Sequence, residues 1–193
     1  ASPFWFGHDS GLASARSAVI RAYPGRGIPP ALHSWEDYLE TLEGIRLGGG
    51  PSDHTMVWWD ARLQPRLGTV ELRELDVQTG LEQTLGLAAL VQALARRSVE
   101  DPVRELAPAQ ALHWSSFRAV RDGLDSEVLF RGRLRPAREA ARELLDDLGP
   151  GDFDGVERLL SEGGMPARQR ASHAKGGMPA LLRQLADESA KGL

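Results

Sequence analysis

Cysteine is absent from the chain. That rules out a disulfide frame, a thiolate nucleophile and any zinc site built on sulfur, and it fits a cytoplasmic protein. Lysine is nearly absent too: Lys175 and Lys191 stand beside 21 arginines among the 23 basic residues. Genomic base composition can produce such a bias, and so can a need for guanidinium clamps on carboxylates and phosphates. No apolar run approaches the roughly 20 residues that span a bilayer, and no basic-then-apolar leader opens the chain. There is no basic surplus either. A formal net charge of −4 and a pI of about 5.8 leave no overall footprint for nucleic acid. Gly48-Gly49-Gly50 lacks the Gly-Lys-Ser/Thr of a phosphate loop, and five scattered histidines do not make a zinc site. Gly7-His8-Asp9-Ser10-Gly11 has the look of a serine-protease motif, but no spaced triad supports it.

What is present is ordinary for one soluble domain: 41% hydrophobic and 26% charged residues over 193 positions. The first 30 residues read as a loop, a short helix over residues 12–22 and a turn-rich connector from Pro24 to Pro30. Ser34-Trp35-Glu36-Asp37 is a capping-box start. Its helix should run to about Leu47, with Tyr38, Leu39, Leu42 and Ile45 on one face, and stop at Gly48-Gly49-Gly50-Pro51. A β-hairpin follows between Thr55 and Gln78. Its strands read His54 to Arg62 and Gly68 to Asp76. After it come only helices: 81–98 with Leu85, Ala88, Ala89, Val91, Leu94 and Ala95 on the apolar side, a short helix or turn between Pro102 and Pro108, then 109–122, 136–148, 152–160, 166–173 and 179–190. The pattern is α+β, with residues 1–80 carrying the strands and 81–193 helical, in a single domain.

The hairpin carries the chemistry. Alternation puts Val70 and Leu72 on one face and Glu71 and Arg73 on the other, about 7 Å apart along the strand. A carboxylate beside a guanidinium is either a solvated cross-strand ion pair or a place to hold a metal ion and an anionic phosphate together. Asp60 and Arg62 share a face of the first strand, as a salt bridge between strands or as part of the same polar surface. His54 stands just before that strand. Trp58 and Trp59 cannot both face a core from one strand, so one should be core and the other should line a cleft or cover helices.

These residues resemble the bacterial carboxylate–amine ligases of the glutamate–cysteine ligase type 2 family. The carrying motif is Trp58-Trp59-Asp60-Ala61-Arg62, Gly68-Thr69-Val70-Glu71-Leu72-Arg73 and Asp76-Val77-Gln78. Ser2-Pro3-Phe4-Trp5 with Ala15-Arg16-Ser17, the Pro24–Pro30 link and Ala167-Arg168-Gln169-Arg170 match further family segments in the right order. The resemblance implies a glutamine-synthetase-like fold, of which this chain looks like the C-terminal half: an antiparallel sheet portion followed by helices. It implies ATP and Mg²⁺, with Glu71 as metal ligand and catalytic residue and Arg73 facing the transferred phosphate. It further implies Arg16, Asp60, Arg62 and Trp58 at the substrates, glutamate and an amine such as cysteine. Arg168, Arg170 and His54 would lie at the nucleotide, although the arginines could instead tie a tail helix to acidic neighbours. Arg21 and Arg26 are lesser candidates. Trp114-Ser115-Ser116-Phe117 departs from the family's Glu-Asn-(Arg/Lys)-Trp. A missing N-terminal half, or a second chain, would complete the enzyme, and a homo-oligomer is possible. On that reading the chain alone should be inactive. The alternative is a non-catalytic binding or assembly half of a larger protein.

Overall fold

Ser14 and Ser34 open the first two helices. Each hydroxyl accepts from the amide three residues on, that of Ser17 or Asp37, satisfying a donor that a helix start leaves orphaned. The helices are α1, Ala15–Ile20, and α2, Trp35–Leu47. Asp37 closes the second cap by accepting from the His33 amide at 2.9 Å, one residue earlier than a capping box requires. The computed structural model describes residues 2–102 and 107–191. The segment expected to be a short helix or turn between Pro102 and Pro108 lies, for the most part, outside the described residues.

Strands come as four two-stranded pieces. β1, Phe4–Trp5, pairs antiparallel with β2, His8–Asp9. β3, Arg26–Gly27, runs parallel to β4, Trp58–Trp59. β5, Ala61–Gln64, pairs antiparallel with β6, Thr69–Leu72, in a register that sets Arg62 opposite Glu71 and Leu63 opposite Val70. The two long strands expected for the hairpin are therefore shorter. His54–Met56 forms a 3₁₀ turn because the Asp53 carboxylate accepts from the Thr55 amide at 2.8 Å, a local bond that competes with strand pairing. The chain then bends at Asp60, separating β4 from β5.

The C-terminal half is helical: α3, Leu81–Glu100; α4, Ala109–Asp122; α5, Ala137–Leu148; α6, Asp154–Glu162; and α7, Met165–Ala190. The two tail helices expected from sequence are joined in α7 across a non-helical step at Gly176 and Gly177. Strands were not expected in this half, nor at β1, β2 and β3, where the sequence reads as loop and connector. β7, Glu127–Phe130, and β8, Arg133–Pro136, form a hairpin whose two-residue turn, Arg131-Gly132, has φ of +50° and +77°. Positive φ at both positions is the type I′ geometry that matches strand twist.

Two cores hold these pieces. Tyr38, Val57 and Trp59 are buried together under Leu32, Leu42 and Ile45, tying α2 to β4. Leu39, expected on the same face, is exposed. The larger core gathers Leu145, Phe153, Val156 and Leu160 against Leu87, Leu90 and Ala93 of α3. The expected apolar side of α3 is thus partly wrong: Ala89 packs here, but Leu85 is exposed. The reason is glycine. A Cβ on Gly86 would stand 2.8 Å from the Val156 nitrogen, and one on Gly155 would stand 2.0 Å from the Glu82 carbonyl oxygen. Backbone meets backbone at that point, and this close approach, rather than the largest side chains, sets the roll of α3.

Candidate active site

The β5–β6 hairpin has two unlike faces. Val70 and Leu72 project from one and are largely exposed, with Leu63 beside Val70 across the ladder. The other carries Arg62, Gln64, Glu71 and, just past the strand, Arg73. Arg62 is 5% exposed. Its Nη2 donates to Glu71 Oε2 at 2.5 Å, and its Nη1 donates to the carbonyls of Thr55 and, at 3.1 Å, Val57. Gln64 Nε2 donates to the same Glu71 oxygen at 3.0 Å. The second oxygen of Glu71 accepts from Arg73 Nη1. The Gln64 amide and the Arg62 guanidinium hold the Glu71 carboxyl below its ordinary range, against a smaller opposing effect of burial.

Arg73 also lies over the Trp58 ring, its guanidinium carbon 5.8 Å from the centroid, within cation–π range. Trp58 packs on Tyr23 at 5.1 Å and donates its indole N–H to the Thr55 carbonyl at 3.0 Å. Trp59 turns the other way into the core. Glu71, Arg73, Arg62 and Trp58 therefore form one connected group.

Asp60 does not join Arg62. It stands beside Glu74, with Arg26 Nε 3.6 Å and Arg21 Nη2 3.9 Å away. Arg21 bridges Glu74 at 2.7 Å and Ser116 of α4 at 2.5 Å. Burial, and then the neighbouring Asp60, push the Glu74 carboxyl up. Arg16 on α1 reaches the same neighbourhood, donating to Asp76 Oδ1 at 2.9 Å and to the Arg73 carbonyl at 3.2 Å.

Three expected nucleotide contacts stand apart from this group. His54 has Nδ1 3.7 Å from Asp53 and a buried Nε2 without a hydrogen-bond partner, beside α2. Arg168 and Arg170 sit two positions apart on α7 and reach different neighbours. Arg168 pairs with Glu188 at 2.7 Å and lines a cleft of about 670 Å³ with Gln78, Thr79 and Lys191. Arg170 holds both oxygens of Asp9, at 2.8 and 2.9 Å, and the Leu12 carbonyl at 2.8 Å.

Gln64 was missed in sequence, although alternation along β5 already puts it on the face of Arg62. Glu74 was missed because the chain leaves the strand after Leu72 and alternation no longer says where it points.

A divalent cation finds one carboxylate of the right type here. Glu71 is a hard oxygen donor on an open face, but its oxygens are occupied by two guanidiniums and an amide. Among the described residues no group of three or more acidic or histidine side chains converges as a cation cage. The residues present fit a single-carboxylate share of a Mg²⁺ site, the kind completed by phosphate oxygens and water, and not a whole one.

The chain is similar to known proteins along most of its length. The model of the glutamate–cysteine ligase family 2 matches residues 1–183. "Putative glutamate--cysteine ligase 2-3" of Rubrobacter xylanophilus is 38% identical over 98% of this chain and 54% of its own length. A similarly named protein of Thermobifida fusca is 35% identical over 98% of this chain and 50% of its own. The chain spans about half the length of these relatives. No helix among the described residues is long and apolar enough to cross a membrane.

Proposed function

The chain belongs to the glutamate–cysteine ligase family 2, and on that premise we propose that it supplies the phosphoryl-transfer face of an ATP-dependent carboxylate–amine ligase. The observation that carries this reading is the Arg62–Glu71–Arg73 group on the open face of the hairpin. A carboxylate is a poor electrophile, so amide formation needs an activated acyl group. The γ-carboxylate oxygen of glutamate attacks the γ-phosphorus of ATP and ADP leaves. The amine nitrogen of cysteine, or of a related amino compound, then attacks the acyl carbon and loses a proton, and phosphate departs with the former carboxylate oxygen.

Phosphoryl transfer is chiefly positioning and charge neutralisation. In this reading Arg73 offers its guanidinium to the oxygens of the moving phosphoryl group, and the Trp58 ring holds that guanidinium by a cation–π contact. Arg62 fixes the Glu71 rotamer. Glu71 would hold Mg²⁺ in part, and the ion would supply charge neutralisation at the phosphates. Arg16 would meet a substrate carboxylate, and Arg168 on the 670 Å³ cleft would face nucleotide phosphates. A mixed anhydride must be kept from water, so a cover over this face is part of the proposal.

A second reading has its own support. The Leu63, Val70 and Leu72 face is bare, and an isolated two-stranded hairpin is marginal in water. This half would then serve as an assembly piece for the remaining part of the protein or for another copy, without turnover of its own. ADP release separates the two. It is measured on the protein expressed from its whole reading frame, with Mg²⁺, ATP and L-glutamate, with and without a panel of amines. Amine-dependent release that disappears in Glu71→Gln supports the ligase; no release with any amine from folded protein refutes it.

A further inference from the structure

Arg26 is the most deeply buried guanidinium near the site, with its side chain 3% exposed, and no substrate could reach it. Both terminal nitrogens donate to backbone instead, Nη1 to the Trp58 carbonyl at 3.2 Å and Nη2 to the Arg73 carbonyl at 2.9 Å, while Nε is buried without a hydrogen-bond partner. Arg16 reaches that same Arg73 carbonyl from α1 at 3.2 Å. A carbonyl has two lone pairs, and here both are taken by guanidiniums. The amide of Arg73 is fixed as well, donating to the Asp60 carbonyl at 2.8 Å, while the Asp60 amide donates to Gly27 at 2.7 Å. Both peptide groups of Arg73 are therefore linked to β3, the short strand that carries Arg26, one through the Arg26 side chain and the other through Asp60. The two residues whose carbonyls Arg26 holds are the two that stack, Trp58 and Arg73.

We infer that Arg26 is a positioning residue: one buried fork that grips the backbone behind Trp58 and Arg73 and so sets the Arg73 guanidinium over the ring. This rests on the ligase reading only for what Arg73 does once placed. A buried cation demands counter-charge, and Asp60 and Glu74 provide it, Glu74 at 3.5 Å from Nη2. Burial lowers the Arg26 pKa while those two carboxylates oppose the change. Lysine cannot substitute. Its ammonium is a point charge without the planar fork that spans two carbonyls.

The test uses the ¹⁵N-labelled chain and the indole N–H resonance of Trp58, assigned by its loss in Trp58→Phe. Arg26→Lys should displace that resonance toward its position in Arg73→Ala, and should add less in the Arg73→Ala background than in wild type, because only its direct hold on the Trp58 carbonyl is left to lose there. A folded Arg26→Lys that leaves the resonance in place, while Arg73→Ala moves it, overturns the inference. If Arg26→Lys does not fold, Arg16→Gln removes the other guanidinium from the same carbonyl; a smaller displacement in the same direction supports the role and none overturns it. In the protein from the whole reading frame, Arg26→Lys should lower kcat by about 10²-fold with the amine KM unchanged, the signature of a misplaced catalytic group. A rise in KM alone overturns it. The resonance test needs no ATP, so absent turnover with a displaced resonance would retire the ligase reading and leave the positioning role standing.

Discussion

Replacing Arg62 by methionine removes the residue that joins the 3₁₀ turn to the hairpin. Three acceptors lose a charged donor: Glu71 Oε2 and the carbonyls of Thr55 and Val57. Deleting one partner of a fully buried ion pair costs about 3–5 kcal/mol. The Glu71 side chain is 36% exposed, so water takes over part of its solvation and the pair is worth less than that limit. The buried Val57 carbonyl, left without a donor, adds about 1–3 kcal/mol before relaxation, whereas the Thr55 carbonyl keeps the Trp58 indole N–H. Methionine refills most of the volume, and the losses share one site and do not add, so we expect about 2–4 kcal/mol in total. For a chain of this length that is a fall in Tm of about 5–15 °C. Thermal and urea unfolding of wild type and Arg62→Met at pH 7 would measure it. The Glu71 share depends on pH. Its folded pKa lies below the unfolded one, so its contribution is complete above the unfolded value of about 4.3. It is lost as pH falls through the lower folded value. The gap between wild type and variant should therefore narrow in acid. A cost under about 1 kcal/mol, or a gap independent of pH, would refute the claim that Arg62 fixes the Glu71 carboxylate.

Three further outcomes are expected. Gly155→Ala should destabilise by at least about 1–3 kcal/mol in urea, because a Cβ there meets the Glu82 carbonyl at 2.0 Å; an unchanged midpoint would show that α3 and α6 are not in backbone contact. Glu74→Gln should remove a pH dependence. The raised Glu74 pKa gives the folded state stability that is present below the unfolded pKa of about 4.3 and is lost as pH rises through the folded value. Wild type should accordingly lose ground against the variant over that window in thermal melts, and parallel profiles would contradict the assignment. Val70→Glu with Leu72→Glu should reduce self-association of the 193-residue chain in sedimentation velocity, since both side chains lie on the bare face; unchanged association would place the sticky surface elsewhere.

Much of this was legible in the sequence because it rests on local rules. Ser34 and Asp37 cap a helix whose end at Leu47 is written in three glycines. Glu71 and Arg73 share a side because strands alternate. The turn at Gly176-Gly177 and Pro179 was visible as a break. What was not legible depends on close approach or on competition. Nothing in the α3 pattern says that Gly86, rather than Leu85, meets the neighbouring helix. Arg131-Gly132 did carry a two-residue turn signal, but the short run before it, Glu127–Phe130, was hidden among helix formers. Asp60 was grouped with Arg62 by alternation, and the bend at Asp60 broke that rule. Arg26 showed no signal beyond being an arginine in a proline-rich link; its role comes from the parallel pairing of β3 with β4, a contact between residues some thirty positions apart.

The central claim is that the hairpin face serves an acyl phosphate, and oxygen transfer tests it most directly. L-glutamate labelled with ¹⁸O in its γ-carboxylate would be incubated with ATP, Mg²⁺, an amine that supports ADP release and the protein from the whole reading frame. The phosphate released would then be analysed by mass. One ¹⁸O in each phosphate, abolished together with turnover in Glu71→Gln, is the predicted result. Turnover that yields unlabelled phosphate, or labelled phosphate that persists in Glu71→Gln, would contradict it.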